Sequence, residues 1–275
     1  MLAALAMLQV ARRLCLPYPA MLAIAGLLVA LIPGAPTISF APATALALFI
    51  APALVDSAYD FPIGAARRYI APLVMFAVFA VIVTTVVVAW LGVTMIGLPL
   101  AAAIALGALV APPDAAAATA VLNSLSVPRD SSAVLRGESL FNDATALLLY
   151  GGALAVLANG ALDGMVTLKI GLAAPGGILF GILFAKLVWR FNRYLDGTLG
   201  GNLSQFVNSF LVWIVSDHLG LSAVLSTAAF AMTLAAMAGG GSSVRMRVHS
   251  FAVWRSIVFA LNVFAFLLMG MQART

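Results

Sequence analysis

Long apolar runs with almost no charge inside them set the first constraint on this chain. Residues 70–92, 97–123 and 170–189 carry at most one charged side chain each. About 20 apolar residues in a helix cross the ~30 Å hydrocarbon layer of a bilayer. There a helix satisfies its own backbone donors and acceptors, which an open strand or a lipid-exposed loop cannot do. A β-barrel is not expected, because its strands alternate apolar and polar residues around a polar lumen and this chain shows long unbroken apolar runs instead. Composition closes the water-soluble route: 64% of the 275 residues are hydrophobic and 8% are charged, against ~25% charged in an ordinary soluble domain. The expected fold class is an all-α polytopic membrane protein.

Ten segments are expected, at about 1–11, 19–34, 38–56, 70–92, 97–123, 137–158, 170–189, 205–219, 221–238 and 250–271. Turn-forming residues stand between them, among them Pro17 and Pro19, Pro33-Gly34, Pro62 with Gly64, Asn159-Gly160 and Gly239-Gly240-Gly241. The fourteen bases exceed the nine acids by five, and their placement points to topology; no nucleic-acid partner is expected. With alternating segments, Arg12, Arg13, Arg67, Arg68, Arg129, Arg136, Lys186, Arg190, Arg193, Arg245, Arg247 and Arg255 fall on one side. Lys169 and Arg274 are left on the other. Short loops rich in Lys and Arg stay cytoplasmic, so the N-terminus is expected outside. The first run has its bases after it, not before, so it is not read as a cleavable signal peptide. A start inside the first helix is the simpler expectation. The single cysteine, Cys15, excludes a disulfide framework and a cysteine-rich metal site.

Ionisable groups at membrane depth are the informative residues, since an Asp at a helix centre costs ~2.5–3.5 kcal/mol even on lenient scales. Asp114 follows Pro112 and Pro113 near the middle of its run. Two consecutive prolines remove two backbone donors and clash with the preceding turn, so the helix should break there. Broken backbone at this depth survives only when it is buried in protein or lines a wet cavity, and transporters coordinate ions at such breaks. A plain proline kink, with Asp114 bonded to a freed amide, is the structural alternative.

The second cluster is Gly137-Glu138-Ser139-Leu140-Phe141-Asn142-Asp143. On a helix Glu138 and Asn142 are four apart, as are Ser139 and Asp143, so each pair shares a face. An N-terminal cap would account for Glu138 and Ser139. It accounts poorly for Asp143, which lies more than a turn deeper.

On these residues the chain resembles the membrane domain of the cation:proton antiporter superfamily, in its sodium/proton exchanger branch. Pro113-Asp114 and the string from Gly137 to Asp143 carry the resemblance. Leu16-Pro17-Tyr18-Pro19, Ala25-Gly26, Gly220-Leu221-Ser222-Ala223, and Trp254, Asn262, Phe264, Phe266, Gly270, Met271 and Gln272 support it along most of the chain. The resemblance implies a secondary active transporter, not an enzyme, that exchanges a monovalent cation, Na⁺, for H⁺ by alternating access. Asp143 would take either a proton or a cation, with Asp114 and Ser139 completing the Na⁺ site. Asn142 would hydrogen-bond across the helix break, and its presence in place of a second Asp implies exchange without net charge movement. Glu138 would be structural. Pro113 stands where family members often carry Thr, so a hydroxyl ligand is not expected there. Asp56 matches a further family acid, usually Glu; an acid at a helix end beside Asp60 is the plain alternative.

The family fold is an inverted repeat, of which this chain would hold part: residues 1–66 as scaffold and dimerisation helices, 67–158 as the first half of the ion-carrying core, and 159–275 as further scaffold. The second half of the core, with the arginine that pairs with Glu138, would be absent. The resemblance also implies a multi-pass protein of the cell membrane, a homodimer, and no cofactor beyond the transported ions; the lack of visible eukaryotic sorting signals favours a bacterial inner membrane. Two other functions are weighed: an antiporter fragment that does not transport, and an intramembrane aspartyl protease. The protease would need a Gly-x-Gly-Asp string, and Asp143 follows Leu-Phe-Asn. His218 and His249 read as loop histidines, and the methionines as bilayer or core filler.

Overall fold

The structure, a computed structural model, describes residues 9, 18–32, 41–59, 68–113, 129–160, 164–192, 199–238 and 244–272. Among the described residues the chain is helical, with no strand. The helices are α1 (Tyr18–Ala30), α2 (Pro42–Tyr59), α3, α4 (Leu100–Val110), α5 (Arg129–Asn159), α6 (Gly164–Asn192), α7 (Leu199–His218), α8 (Ala223–Ala238) and α9 (Val244–Gln272). Helix α3 starts as Ile70–Val74, passes through a π-helical segment Met75–Ala80 and continues as Val81–Ile96. These nine helices fall on nine of the ten expected segments. The first segment, apart from Gln9, lies outside the described residues, as do Asp114, Asp60 and the glycine run 239–241.

Among the described residues three stretches are long and apolar enough to cross a membrane by length and composition: Ala71–Ile96, Gly137–Ala158 and Gly171–Phe191. The first would extend about 40 Å at the α-helical rise per residue. Their outer faces carry bare apolar side chains, including Phe79, Trp90, Met95, Leu183 and Phe191. In water such a surface would aggregate; against lipid tails it is at home.

Lipid supplies no hydrophobic drive between helices, so close packing of small residues must hold the bundle. Three seams do this. Gly26 of α1 and Gly270 of α9 meet so closely that a Cβ on either would collide with backbone across the seam, at Leu267 O and Ala23 O. Gly177 and Gly181 of α6, spaced four apart, receive Ser222, just ahead of α8, and Ser226 of α8, also four apart. The Ser222 amide donates to the Ala173 carbonyl at 2.9 Å, joining the two backbones. Gly92 and Gly107 bring α3 and α4 together: a Cβ at Gly92 would lie 3.3 Å from the Ala103 Cβ, and one at Gly107 would lie 2.5 Å from the Thr85 carbonyl oxygen.

Helices α3, α4 and α5 pack on one another. Helices α2, α7, α8 and α9 gather around a core that includes Ala51, Leu54, Trp213, Ala228 and Trp254, and Ala144 joins it from α5. The Phe206 and Trp254 rings stack there with centroids 4.1 Å apart. Two glycines in the left-handed region set the tight joints. Gly97 (φ 71°) closes α3, its amide donating to the Val93 carbonyl at 3.2 Å, and Pro99 caps the start of α4. Gly220 (φ 71°) turns α7 into α8. A side chain at either position would be strained, because L-residues with a Cβ disfavour this backbone.

Candidate functional site

The site is built from the backbone of α4 and the side chains of α5. Helix α4 stops at Val110, and Ala111 and Pro112 are bent. The last helical-type bond runs from the Ala111 amide to the Gly107 carbonyl at 3.0 Å. Pro112 and Pro113 have no N–H to give the Ala108 and Leu109 carbonyls, so the ladder ends for a covalent reason. Pro113 is exposed at this end. Asp114 lies outside the described residues.

Helix α5 packs extensively against α4 and carries the polar string. Asn142 is fully buried, at 0% exposure, and Ser139 nearly so, at 7%. The Asn142 Nδ2 donates to Glu138 Oε1 at 3.3 Å, as the four-residue spacing leads one to expect. Asn142 Oδ1 is buried and has no hydrogen-bond partner among the described residues. A buried amide oxygen left so is expensive, about 1–3 kcal/mol, and such an orphan wants a donor or a cation. The Ser139 hydroxyl donates to the Leu135 carbonyl at 3.2 Å, which leaves its oxygen lone pairs as acceptors. Asp143 follows, half-buried, beside Ala144, which joins the core around Trp213 and Trp254.

Asp56 sits near the end of α2 and is partly buried. Its neighbour Val55 packs in the same core as Ala144, the neighbour of Asp143. The fold thus brings Glu138, Ser139, Asn142 and Asp143 together on α5, places Pro113 three residues past the end of the helix packed against it, and sets Asp56 on an adjoining element. Among the described residues no group of three His, Cys, Asp or Glu is arranged to hold a metal ion. A monovalent cation asks for less, since neutral hydroxyl, amide and carbonyl oxygens serve it beside a carboxylate.

Two features here have no counterpart in the sequence reading. The π-helical segment Met75–Ala80 of α3 packs against α5. Segments of this kind are rare and often lie at functional sites. One turn beyond it, the Thr85 hydroxyl is buried and without a partner among the described residues. The signal was visible as Thr84-Thr85 within an otherwise apolar run, but nothing local says what that hydroxyl faces.

The arrangement coincides with a family match over the whole chain: residues 1–275 match the transmembrane sodium/hydrogen exchanger family. The chain belongs to that family. Its members are transporters of cations and protons and not enzymes, which removes the aspartyl-protease alternative. A sodium, potassium, lithium and rubidium/H⁺ antiporter of Bacillus pumilus is 29% identical over 266 residues, 94% of this chain and 40% of that protein. The Na⁺/H⁺ antiporter ApNhaP of Aphanothece halophytica is 27% identical over 266 residues, 94% of this chain and 50% of that protein. The sodium proton antiporter MjNhaP1 of Methanocaldococcus jannaschii, solved at pH 8, has the same fold, with a TM-score of 0.76 at 19% identity. That likeness covers 98% of this chain and 68% of MjNhaP1. The chain therefore spans 40% and 50% of the length of these two curated relatives. The chain is a multi-pass membrane protein.

Proposed function

We propose that this exchanger carries Na⁺ in exchange for H⁺ at a carboxylate site formed by Asp143 with Asp114, Ser139 and Asn142. The observation that carries the proposal is the fully buried Asn142, its Oδ1 unpartnered among the described residues. It stands beside Asp143, on a helix packed against α4, and α4 ends just before Pro112. An oxygen-rich point at membrane depth is too expensive to be idle. A carboxylate there is neutralised either by a proton or by a cation, and one negative charge cannot hold both strongly. That exclusion couples the two fluxes, and alternating exposure of the site to each side of the membrane turns competition into exchange.

The names of the Bacillus and Aphanothece relatives support a monovalent cation and a proton as the exchanged pair. The mutual packing of α3, α4 and α5 supports residues 67–158 as half of an inverted-repeat core. The gathering of α2, α7, α8 and α9 around Trp213 and Trp254 supports residues 1–66 and 159–275 as scaffold. Ten spans with the N-terminus outside, a homodimer, and a bacterial inner membrane complete the reading. Asp56 adds an acid at the scaffold side, and Glu138 serves to orient Asn142.

The test is Na⁺-driven proton movement in proteoliposomes of the chain with a trapped pH dye. An inward Na⁺ gradient should alkalinise the lumen, because each entering Na⁺ expels a proton. With one carboxylate exchanging one ion for one proton, the rate should stay the same when a potential of about 100 mV is imposed. That potential is worth ~2.3 kcal/mol per charge moved, so a charge-moving cycle would change rate severalfold. A lumen pH indifferent to Na⁺ counts against exchange; a rate that follows the potential counts against the single-carboxylate stoichiometry.

A further inference from the structure

Helix α6 has two unlike faces. Gly177 and Gly181 meet Ser222 and α8 across the seam, and Ala185 and Val188 are buried on the same side. At 3.6 residues per turn, Lys186 and Arg190 fall on the opposite side, one turn apart. Both are exposed. Leu183 and Leu179, one and two turns before Lys186, share that outer face and are exposed as well. Trp189 flanks the two bases and is partly buried, an amphipathic ring suited to the headgroup level of a bilayer. Along its axis, the outer face of α6 thus passes from bare leucines to a pair of cations.

The pair is not explained by its place in the helix. Arg190 lies in the last turn, where the partial negative charge of a helix end favours a base. Lys186 is a turn deeper. It lies inside the apolar span Gly171–Phe191, five residues from its end, or about 7.5 Å along the axis. Like charges four apart on a helix repel, and the repulsion grows beside hydrocarbon, where the dielectric constant is low. An acid placed against them would cancel it. Helix α6 has no Asp or Glu, and neither has α8, which packs most extensively along it. Among the described residues neither Lys186 nor Arg190 makes an ion pair. Snorkelling lets each head climb toward water, but it lifts the lysine toward the arginine and leaves them facing one another.

We propose that Lys186 and Arg190 form a headgroup site for one anionic phospholipid at the C-terminal end of α6. Residues four apart have Cβ atoms about 5–6 Å apart, within reach of one phosphate from both stems. The arginine meets two phosphate oxygens with its planar fork, and the lysine adds a compact charge from the deeper side. The acyl chains then run down the helix over Leu183 and Leu179. The lipid supplies the anion that the protein does not, and its tails cover apolar surface already turned outward. The site lies apart from Glu138, Ser139, Asn142 and Asp143 and does not depend on the exchange reading.

The test is made on the purified full chain in mild detergent. Phosphatidylglycerol, zwitterionic phosphatidylcholine and millimolar inorganic phosphate are each titrated in, reading retained lipid by native mass spectrometry and the melting midpoint. Phosphatidylglycerol should be retained and raise the midpoint, since a ligand of the folded state stabilises it. Phosphatidylcholine and free phosphate should do neither. Affinity for phosphatidylglycerol should fall about fivefold in Lys186→Gln and in Arg190→Gln, and about thirtyfold in the double variant. The exchange of Lys186→Arg with Arg190→Lys keeps both charges and should bind within about twofold of wild type. Lys169→Gln is the control, an exposed base near the other end of α6 with no base one turn away; its affinity should be unchanged. Equal affinity of the wild type and the double glutamine variant overturns the site. So does an equal loss in Lys169→Gln, which would make the attraction one of overall charge. Retention of phosphatidylcholine as strong as that of phosphatidylglycerol, or equal stabilisation by free phosphate, overturns the anionic lipid as the occupant. A double variant that changes oligomeric state and leaves lipid affinity intact assigns the face to a second copy of the chain instead.

Discussion

Asp143→Asn is expected to abolish Na⁺-dependent proton transport, lowering the rate by at least about a hundredfold. The substitution keeps the size and planarity of the side chain, so α5 and its packing at Ala144 and Phe141 stay as they are. What it removes is the ability to bear either a proton or a compensating charge. An amide neither ionises nor neutralises a cation, so both limbs of the exchange fail together. A merely structural Asp143 would predict otherwise: loss of folded protein with normal specific activity in what remains. Rates normalised to folded protein in proteoliposomes decide this, and a fully active Asn variant removes Asp143 from the site.

The second large effect concerns the seam between α6 and α8. Gly181→Ala in α6 is expected to lower the melting midpoint of the purified protein by roughly 3–10 °C, from overpacking of about 1–3 kcal/mol. The added methyl would collide with the Ser226 carbonyl oxygen and lie 3.0 Å from both the Ala229 Cβ and the Phe230 amide. Backbone cannot swing aside as a long side chain can, so α6 and α8 must separate along their whole seam. Gly171→Ala on the same helix is the control, since nothing lies within 4 Å of that position. There the same methyl raises helix propensity and should leave the midpoint unchanged or slightly higher. Equal melting of the two variants would mean that the α6–α8 seam is not a closely packed contact.

What the sequence told in advance was whatever is local or covalent. The end of α4 was legible because proline lacks an N–H wherever it stands. The Glu138–Asn142 hydrogen bond was legible because residues four apart share a helical face. Helix ends were less so: α5 starts at Arg129, ahead of the expected residue 137, and α9 at Val244, ahead of 250. A window that reads apolar residues sees the part suited to lipid and misses the polar turns that continue the same helix. The expectation for Ser139 also changes in detail. Its proton goes to the Leu135 carbonyl, an acceptor that helix geometry offers to a serine, so its oxygen is left with acceptor capacity alone. The burial of Thr85 was out of reach, since it comes from the register of α3 against α4 and no periodicity in either helix records that register.

The central claim is that one carboxylate, Asp143, holds either a proton or Na⁺. The most direct measurement is proton release on adding Na⁺ to the purified chain in weakly buffered solution, followed with a pH dye alongside Na⁺ binding. The account predicts one proton released for each Na⁺ bound by the wild type and none by Asp143→Asn. Na⁺ binding without proton release, or equal release from the Asn variant, would contradict it.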